Sequence, residues 1–436
     1  MVEIVMNEEA ATNLDEMAHD FLMVSETYSG TGPANPYPML AELREEEPVM
    51  DGDILARFGV PSQADYAGSG RPVMTVFRYP DVHAILRDST NWKSYIMADG
   101  FGAAVDNLLL TGMDDEEHKK YRALLAPAFA MPVIARLQET MMRPIIQREY
   151  TDKLRPKGSA DLVRELALPF PVRVVYALFG FPDDGDGDTV MKFASWALRI
   201  LSGPQIDPAK LAVTGPAAMD AGQQLFDHVL PIVRARRASG DEREDLISFM
   251  QNVELEGQRF TDEEITGFVR MLLLAAAETT SRSFANLLIM LFENPEAMEK
   301  VRADRSLINK AITESMRLDP VATNLARIAA QDMEVCGVTV PKGTAVTLSI
   351  GAANRDPSTY ERPNDFWLER PMRPLLSFGF GPHICMGMHI ARMEMAVALD
   401  LLLDFPNLRL DPAHPHPVIR GMHMRGADAV HAIWDA

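Results

Sequence analysis

A chain of 436 residues that is 47% hydrophobic can bury a large core, and its net charge of −20 argues against nucleic acid or anionic membrane as a partner. Two cysteines, Cys336 and Cys385, supply no disulfide framework, and the wealth of Ala, Leu, Met, Glu and Arg points to a mainly α fold with a small β part. No charged-then-apolar leader opens the sequence, and the longest apolar run, 268–277, is too short for a bilayer and carries Arg270. A cytoplasmic protein with reduced thiols, monomeric by default, is expected.

Residues 1–30 are polar and acidic and are expected to be a loosely held segment ahead of a single domain, 31–436. Asn35-Pro36-Tyr37-Pro38 opens a short helix that ends near Glu47-Pro48. Residues 51–71 are punctuated by Gly, Pro and Ser and form an irregular insert. The alternation over 73–77 predicts a strand, and 80–87 a short helix. Residues 94–112 lack a clear period and are expected to be a loop. Asp114 begins a helix through Leu125, with acids first and bases later, as the helix dipole favours. Helical periodicity continues over 131–154, 159–179, 188–201 and 217–238. The stretch 203–216, bounded by Gly and Pro, is long for a helix–helix link and is expected to be a mobile flap.

Thr261-Asp262-Glu263-Glu264 is a capping box, and the helix it starts runs to Asn294, where Pro295 stops it. Such a helix is ~50 Å long at 1.5 Å per residue, enough to cross the domain. It is apolar all round over 271–277 and must be buried there. Residues 307–318 are helical. Residues 333–350 alternate around a hairpin turn at Pro341-Lys342-Gly343. Cys336 beside Gly337 is most simply a small packed residue. A last strong helix spans about 387–403. No repeat or linker divides the chain.

The segment that carries chemistry is Phe378-Gly379-Phe380-Gly381-Pro382-His383-Ile384-Cys385-Met386-Gly387. Its glycines allow a tight loop with close backbone approach. Cys385 stands just before a helix N-terminus, where exposed N–H groups lower a thiol pKa and favour a metal-binding thiolate. The loop alone does not choose the metal. His383-x-Cys385-x3-His389 offers three zinc-type ligands, although zinc sites usually gather ligands from separate segments and no partner Cys/His pair exists elsewhere.

The run F-G-x-G-x-H-x-C-x-G resembles the haem-binding loop of the cytochrome P-450 family. Three further motifs fall in the family's order. Glu314-Ser315-Met316-Arg317 looks like its E-x-x-R pair. Arg370, in Arg362-Pro363-Asn364-Asp365-Phe366-Trp367-Leu368-Glu369-Arg370, looks like the arginine that completes an ion-pair triad. Ala275-Ala276-Ala277-Glu278-Thr279-Thr280 looks like the oxygen-activation motif, with Ala276 where the family often has glycine. Asn354-Arg355-Asp356-Pro357 also sits where bacterial members carry it. The resemblance covers about residues 35 to 430.

The resemblance implies a single triangular haem-thiolate monooxygenase fold, with the long central helix over the haem. Cys385 is then the metal ligand of haem b, bound without covalent attachment because no C-x-x-C-H is present. It implies that Glu278 and Thr279 are the catalytic acid–alcohol pair that brings protons to dioxygen. His118 and Arg122, on one helical face, would hold the haem propionates with Arg327 and His383. Glu314, Arg317 and Arg370 would serve the fold. Residues 94–108, 203–216, Leu272, Ala275, 321–324 and 422–424 would line an apolar substrate pocket, with His423 as its polar member.

No G-x-G-x-x-G after a strand and no iron–sulfur cysteine set is present, so electrons from NAD(P)H would come through a separate reductase and a ferredoxin-like carrier. Lys119, Lys120, Arg373 and Arg392 are expected to form the basic docking patch. The implied reaction inserts one atom of dioxygen into an apolar organic substrate such as a terpenoid, steroid, aromatic or fatty acid. The alternative on the same fold is a haem-based sensor or ligand-binding protein.

Overall fold

The helix Asp262–Glu293 is the beam on which the other elements are arranged. Its start is fixed as expected: the Glu264 N–H donates to Thr261 Oγ1 at 3.1 Å, and the Thr261 N–H donates to Glu264 Oε2 at 2.8 Å. Pro295, which cannot continue a helix by hydrogen bonding, begins the next one, Pro295–Ala303. Helices Pro169–Leu178, Asp188–Ser202, Pro208–Ser239 and Ile308–Leu318 pack around the beam. This computed structural model describes residues 13–66, 69–99, 102–182, 187–240 and 243–436. No described helix is long and apolar enough to cross a membrane.

The β part lies to one side. A five-stranded sheet runs in the order Val49–Asp51, Val73–Val76, Ala345–Ser349, Asn324–Ala329, Trp92–Lys93. Only Val73–Val76 and Ala345–Ser349 pair in parallel. Arg327 is thereby fixed opposite Val346 on a buried strand. Ser159–Asp161, His431–Ile433 and Arg409–Leu410 make a second, three-stranded sheet.

Several expectations are corrected. The N-terminal segment is not loosely held over 13–29. Asn13–Ser29 is a helix that buries Met17, Phe21, Val24 and Tyr28 and packs on Asp188–Ser202. Its acids are interfacial: Asp20 accepts from Arg199 Nε at 2.9 Å and from the Ser195 hydroxyl. Residues 1–12 of that segment lie outside the described residues.

Nor is 203–216 a flap. Asp207 caps the helix Pro208–Ser239 by accepting from the Ala209 N–H at 2.9 Å, and Pro216 lies within that helix. Pro216 resembles a boundary in the sequence, but it removes only one hydrogen bond from a helix of 32 residues. The expected helix over 159–179 is divided into the strand Ser159–Asp161, a wide turn at Val163–Ala167 and the helix Pro169–Leu178.

The tight hairpin turns at Cys336-Gly337, not at Pro341–Gly343; both turn residues have positive φ, as a two-residue hairpin turn of this kind demands. Cys336 is consequently exposed rather than packed, with Arg78 Nη1 donating to its sulfur at 3.1 Å.

Candidate functional site

The loop before the C-terminal helix Met388–Leu402 is shaped by its glycines. Gly379 and Gly381 both have positive φ, and a Cβ on Gly381 would stand 2.6 Å from the Leu86 carbonyl oxygen. The Cys385 N–H donates to the Phe378 carbonyl at 2.8 Å, which closes the loop on itself. Cys385 is exposed in this loop; desolvation by the surrounding protein raises its thiol pKa, while the N–H groups of Gly387 and Met388 and the Arg122 guanidinium act in the opposite direction. These donors converge on sulfur, the arrangement that stabilises and tunes a metal-bound thiolate.

Four residues from three parts of the chain meet beside this loop. His118 and Arg122 come from the helix Asp115–Leu125, Arg327 from the buried strand, and His383 from the loop itself. The His118 and His383 rings lie 4.0 Å apart. Arg122 Nη1 donates to the Ile384 carbonyl at 2.7 Å, and Arg327 Nη1 to the Ala326 carbonyl at 2.7 Å. Among the described residues none of the four makes an ion pair. Burial and mutual repulsion lower the His118 pKa to about 4 and the His383 pKa to about 3, and burial lowers Arg327 to about 10. His118 Nε2 is buried with no hydrogen-bond partner.

Such a cluster is costly unless an anion neutralises it. The residues therefore fit haem: Cys385 would hold the iron, and His118, Arg122, Arg327 and His383 would hold the two propionates. Zinc does not fit. Among the described residues no three His, Cys, Asp or Glu side chains gather to hold a metal ion, and His383 faces His118 rather than His389.

The beam is buried nearly all round, yet Ala275 is exposed and Leu272, Ala276 and Thr279 are half-exposed. The spacing i, i+3, i+4, i+7 makes these one helical face that borders an open crevice. Thr279 Oγ1 donates to the Ala275 carbonyl at 2.8 Å, so the hydroxyl oxygen is left as an acceptor on that face. Leu110 joins the beam to the loop: its N–H meets the sulfur of the buried Met271 at 3.3 Å and its backbone hydrogen-bonds His383.

Glu278 is directed elsewhere. It is wholly buried, and its Oε1 is held by Arg282 Nε, one turn along the same helix. Burial drives its pKa up to about 7, against the pull of Arg282. Arg282 is equally buried. It also donates through Nη2 to the Phe21 carbonyl at 3.1 Å, and its guanidinium lies 4.1 Å over the Phe21 ring. His423, expected in the substrate pocket, is likewise buried: Tyr28 packs edge-on against it, and Thr323 Oγ1 stands 3.4 Å from its Nδ1.

Glu314 meets both arginines of the expected triad. Arg317 Nε and Nη2 each donate to it at 2.9 Å, and Arg370 Nε does so at 2.9 Å. Arg317 also reaches the carbonyls of Asn354, Pro363 and Asp365, and Asn354 Nδ2 donates to Ser377 Oγ at 2.8 Å. This network ties the helix Ile308–Leu318 to the chain just before the cysteine loop. Of the expected basic patch, Lys119 and Arg373 are exposed, whereas Arg392 is bonded to Thr313 Oγ1 at 2.5 Å.

Sequence reasoning missed one latch. Arg270, noted only as a charge in an apolar run, is buried. It pairs with Asp106 and donates at 3.2 Å to both the Ala104 and Gly222 carbonyls. It thus fastens the loop after residue 101 and the helix Pro208–Ser239 to the beam. A charge that interrupts a buried apolar run was the available signal.

Comparison with known proteins agrees with this site. The family described as Cytochrome P450 matches residues 66–422. The chain is 31% identical over 381 residues to the cyclomarin C epoxidase CymV of Salinispora arenicola, spanning 86% of this chain and 90% of the relative. It is 28% identical over 425 residues to cytochrome P450 109 of Bacillus spizizenii, spanning 95% and 97%. The crystal structure of CYP109E1 from Bacillus megaterium with testosterone superposes with a TM-score of 0.77 at 25% identity, covering 92% of this chain and all of that one. HmtT, involved in himastatin biosynthesis, gives 0.75 at 31% identity, covering 90% and 96%. With the thiolate loop, the triad and the central helix in place, the chain belongs to the cytochrome P450 family and is a haem-thiolate monooxygenase.

Proposed function

We propose that the enzyme inserts one atom of dioxygen into an apolar organic substrate, with electrons from NAD(P)H delivered by a separate reductase and a ferredoxin-like carrier. The observation that carries this reading is the open face of the central helix. Leu272, Ala275 and Ala276 offer a substrate only methyl and methylene surface, and Thr279 supplies the single hydroxyl there. Haem, when bound, supplies the oxygen-activating chemistry, favoured by a thiolate ligand. The chain's own residues do the rest. Cys385 holds the iron, and the guanidiniums of Arg122 and Arg327 anchor the propionates with the imidazoles of His118 and His383 as hydrogen-bond partners. Thr279 holds a proton donor at the crevice through its free acceptor lone pair, and Glu278 replenishes that proton once Arg282 releases its carboxyl group to turn toward the crevice.

Relatives support an apolar substrate without naming one: a structural neighbour was crystallised with testosterone, and another, P450BioI, with hexadec-9Z-enoic acid ligated to acyl carrier protein. For electron delivery, Arg373 is exposed twelve residues before Cys385, while the exposed Lys119 is paired with Glu116 at 2.7 Å and offers a carrier less free charge.

The test is turnover. Purified enzyme, a surrogate ferredoxin and its reductase are supplied with NAD(P)H and substrates chosen by the low-to-high-spin shift, under isotopically labelled dioxygen. One labelled oxygen atom per product molecule is expected. Substrate-induced spin shifts without any labelled product would overturn this reading in favour of a ligand-binding role.

A further inference from the structure

We infer that Asp428 is a positioning residue that competes with Glu278 for Arg282, and that Arg420 governs this competition from the surface. The inference rests on the reading of Glu278 as the source of protons for Thr279.

One guanidinium stands between two carboxylates. Arg282 Nε holds Glu278 Oε1. On the other side Arg282 Nη1 faces Asp428 Oδ1 at 3.5 Å, too long for a hydrogen bond in this geometry. Arg282 Nη1, Asp428 Oδ1 and Glu278 Oε2 are all buried, and all three lack a hydrogen-bond partner. Buried polar atoms rarely go unsatisfied. Here the unsatisfied donor and one unsatisfied acceptor already face each other. A shift of well under an ångström would bring them to the ~2.8 Å of a charge-assisted bond. Arg282 would then have a second carboxylate partner, and its hold on Glu278 would relax.

Asp428 is kept from closing that gap by its other oxygen, Oδ2, which pairs with Arg420. Arg420 is exposed, Asp428 is at the rim, and Glu278 and Arg282 are fully buried, so four residues lead from solvent to the interior of the beam. The turn that carries Arg420 and Asp428 is built to lie on Arg282. A Cβ on Gly426 would stand 2.7 Å from Arg282 Cβ and 2.9 Å from its Cδ, so only glycine permits the approach. Arg420 and Gly426 exchange two backbone hydrogen bonds, at 3.1 and 2.9 Å, and these hold Arg420 beside Asp428.

The wall around the pair is completed by the N-terminal helix. Phe21 contributes its ring and carbonyl, and Tyr28 faces Glu278 with its hydroxyl donated to the Leu201 carbonyl at 3.1 Å. The charged and titratable groups facing Glu278 are thus Arg282 on its own helix, Tyr28 on the N-terminal helix and Asp428 on the C-terminal turn. Phe21, Tyr28, Gly426 and Asp428 lie outside residues 66–422, whereas Glu278, Arg282 and Arg420 lie inside them.

The two ends of the competition make opposite predictions. In the haem-loaded enzyme, the carbonyl stretch of protonated Glu278 is followed with pH by difference infrared spectroscopy and identified by its absence in E278Q. Asp428→Asn removes the rival carboxylate, so Arg282 holds Glu278 in its ionised form. The titration midpoint falls, by on the order of one unit. Arg420→Gln frees Asp428 to engage Arg282, and the midpoint rises. Asp428→Glu, which keeps the charge, restores a midpoint near that of the unaltered enzyme. In turnover, D428N forms less product per NAD(P)H and shows a larger solvent isotope effect, while the haem-thiolate spectrum is unchanged.

Midpoints that stay fixed, or that move in the same direction in D428N and R420Q, overturn the competition. Full coupling of product formation in E278Q would instead remove Glu278 from proton delivery. Because the infrared titration needs no turnover, the two failures are distinguishable.

Discussion

Replacing Arg327 by methionine separates what this residue does for the fold from what it does for the cofactor. Its guanidinium is buried on the strand Asn324–Ala329 with, among the described residues, only the neighbouring Ala326 carbonyl as acceptor, and burial pulls its pKa down to about 10. Keeping the charge inside therefore costs on the order of 3 kcal/mol. Methionine has a similar length and no charge, so R327M prepared without haem should be more stable by up to about 3 kcal/mol in urea unfolding. Haem retention should move the other way. A lost charge-assisted contact to a propionate is worth about 1.5–3 kcal/mol, or about 10- to 100-fold faster transfer of haem to a scavenging apoprotein. R327K, which keeps the charge but not the planar fork, should fall between the two. An R327M protein that is less stable without haem, or that loses haem no faster, refutes the reasoning.

Glu314→Gln leaves two buried arginines without their carboxylate. It should cost about 3–5 kcal/mol in urea unfolding, with haem lost during purification, while a cost below 1 kcal/mol would show that the triad is not structural. Burial lowers the His423 pKa from its ordinary 6.5 to about 4 in the folded chain, so between those limits the unfolded chain binds a proton that the folded chain does not. Stability is therefore full above about 6.5 and falls with pH down to about 4 by roughly 3 kcal/mol. H423Q should flatten that slope, and a wild-type-to-variant difference that is the same at pH 7 and pH 5 would count against it. Thr279→Ala removes the only hydroxyl on the open face of the beam; product per NAD(P)H should drop with the haem-thiolate spectrum unchanged, and unaltered coupling would exclude Thr279 from proton handling.

Local chemistry in the sequence was enough for the parts of the site that depend on neighbours in the chain. The capping box at Thr261, the glycines around Cys385 and the Glu314–Arg317 pair all act within a few residues, and each occurs as the residues imply. The propionate-site cluster was legible only through resemblance, because His118, Arg327 and His383 are brought together by tertiary packing. The N-terminal helix was hidden for a related reason. Asp20 looks like a solvated acid until Arg199, 179 residues away, is placed against it. The proline at 216 misleads because a break in one hydrogen bond carries far less weight than a break in the helix. Arg282 stands one turn from Glu278 and is available to a reader of helical spacing. Asp428 is not.

Buried charge is handled in two ways in this chain. Where charges are satisfied, they connect elements and stay put. Glu314 accepts from two arginines and the Trp367 N–H, and Asp319 accepts from Tyr37 and Arg425. Where they are left incomplete, the molecule has kept a cost that packing alone would have removed. That holds for His118 Nε2 and the unpaired Arg327 beside the thiolate loop, and for Glu278 Oε2, Arg282 Nη1 and Asp428 Oδ1 behind the central helix. The first set has an obvious claimant in the propionates. The second has none among the parts of the cofactor, since it faces away from the crevice. Its incompleteness is better explained by a carboxylate that must change partners, with two acids sharing one guanidinium so that neither is bound too firmly to move.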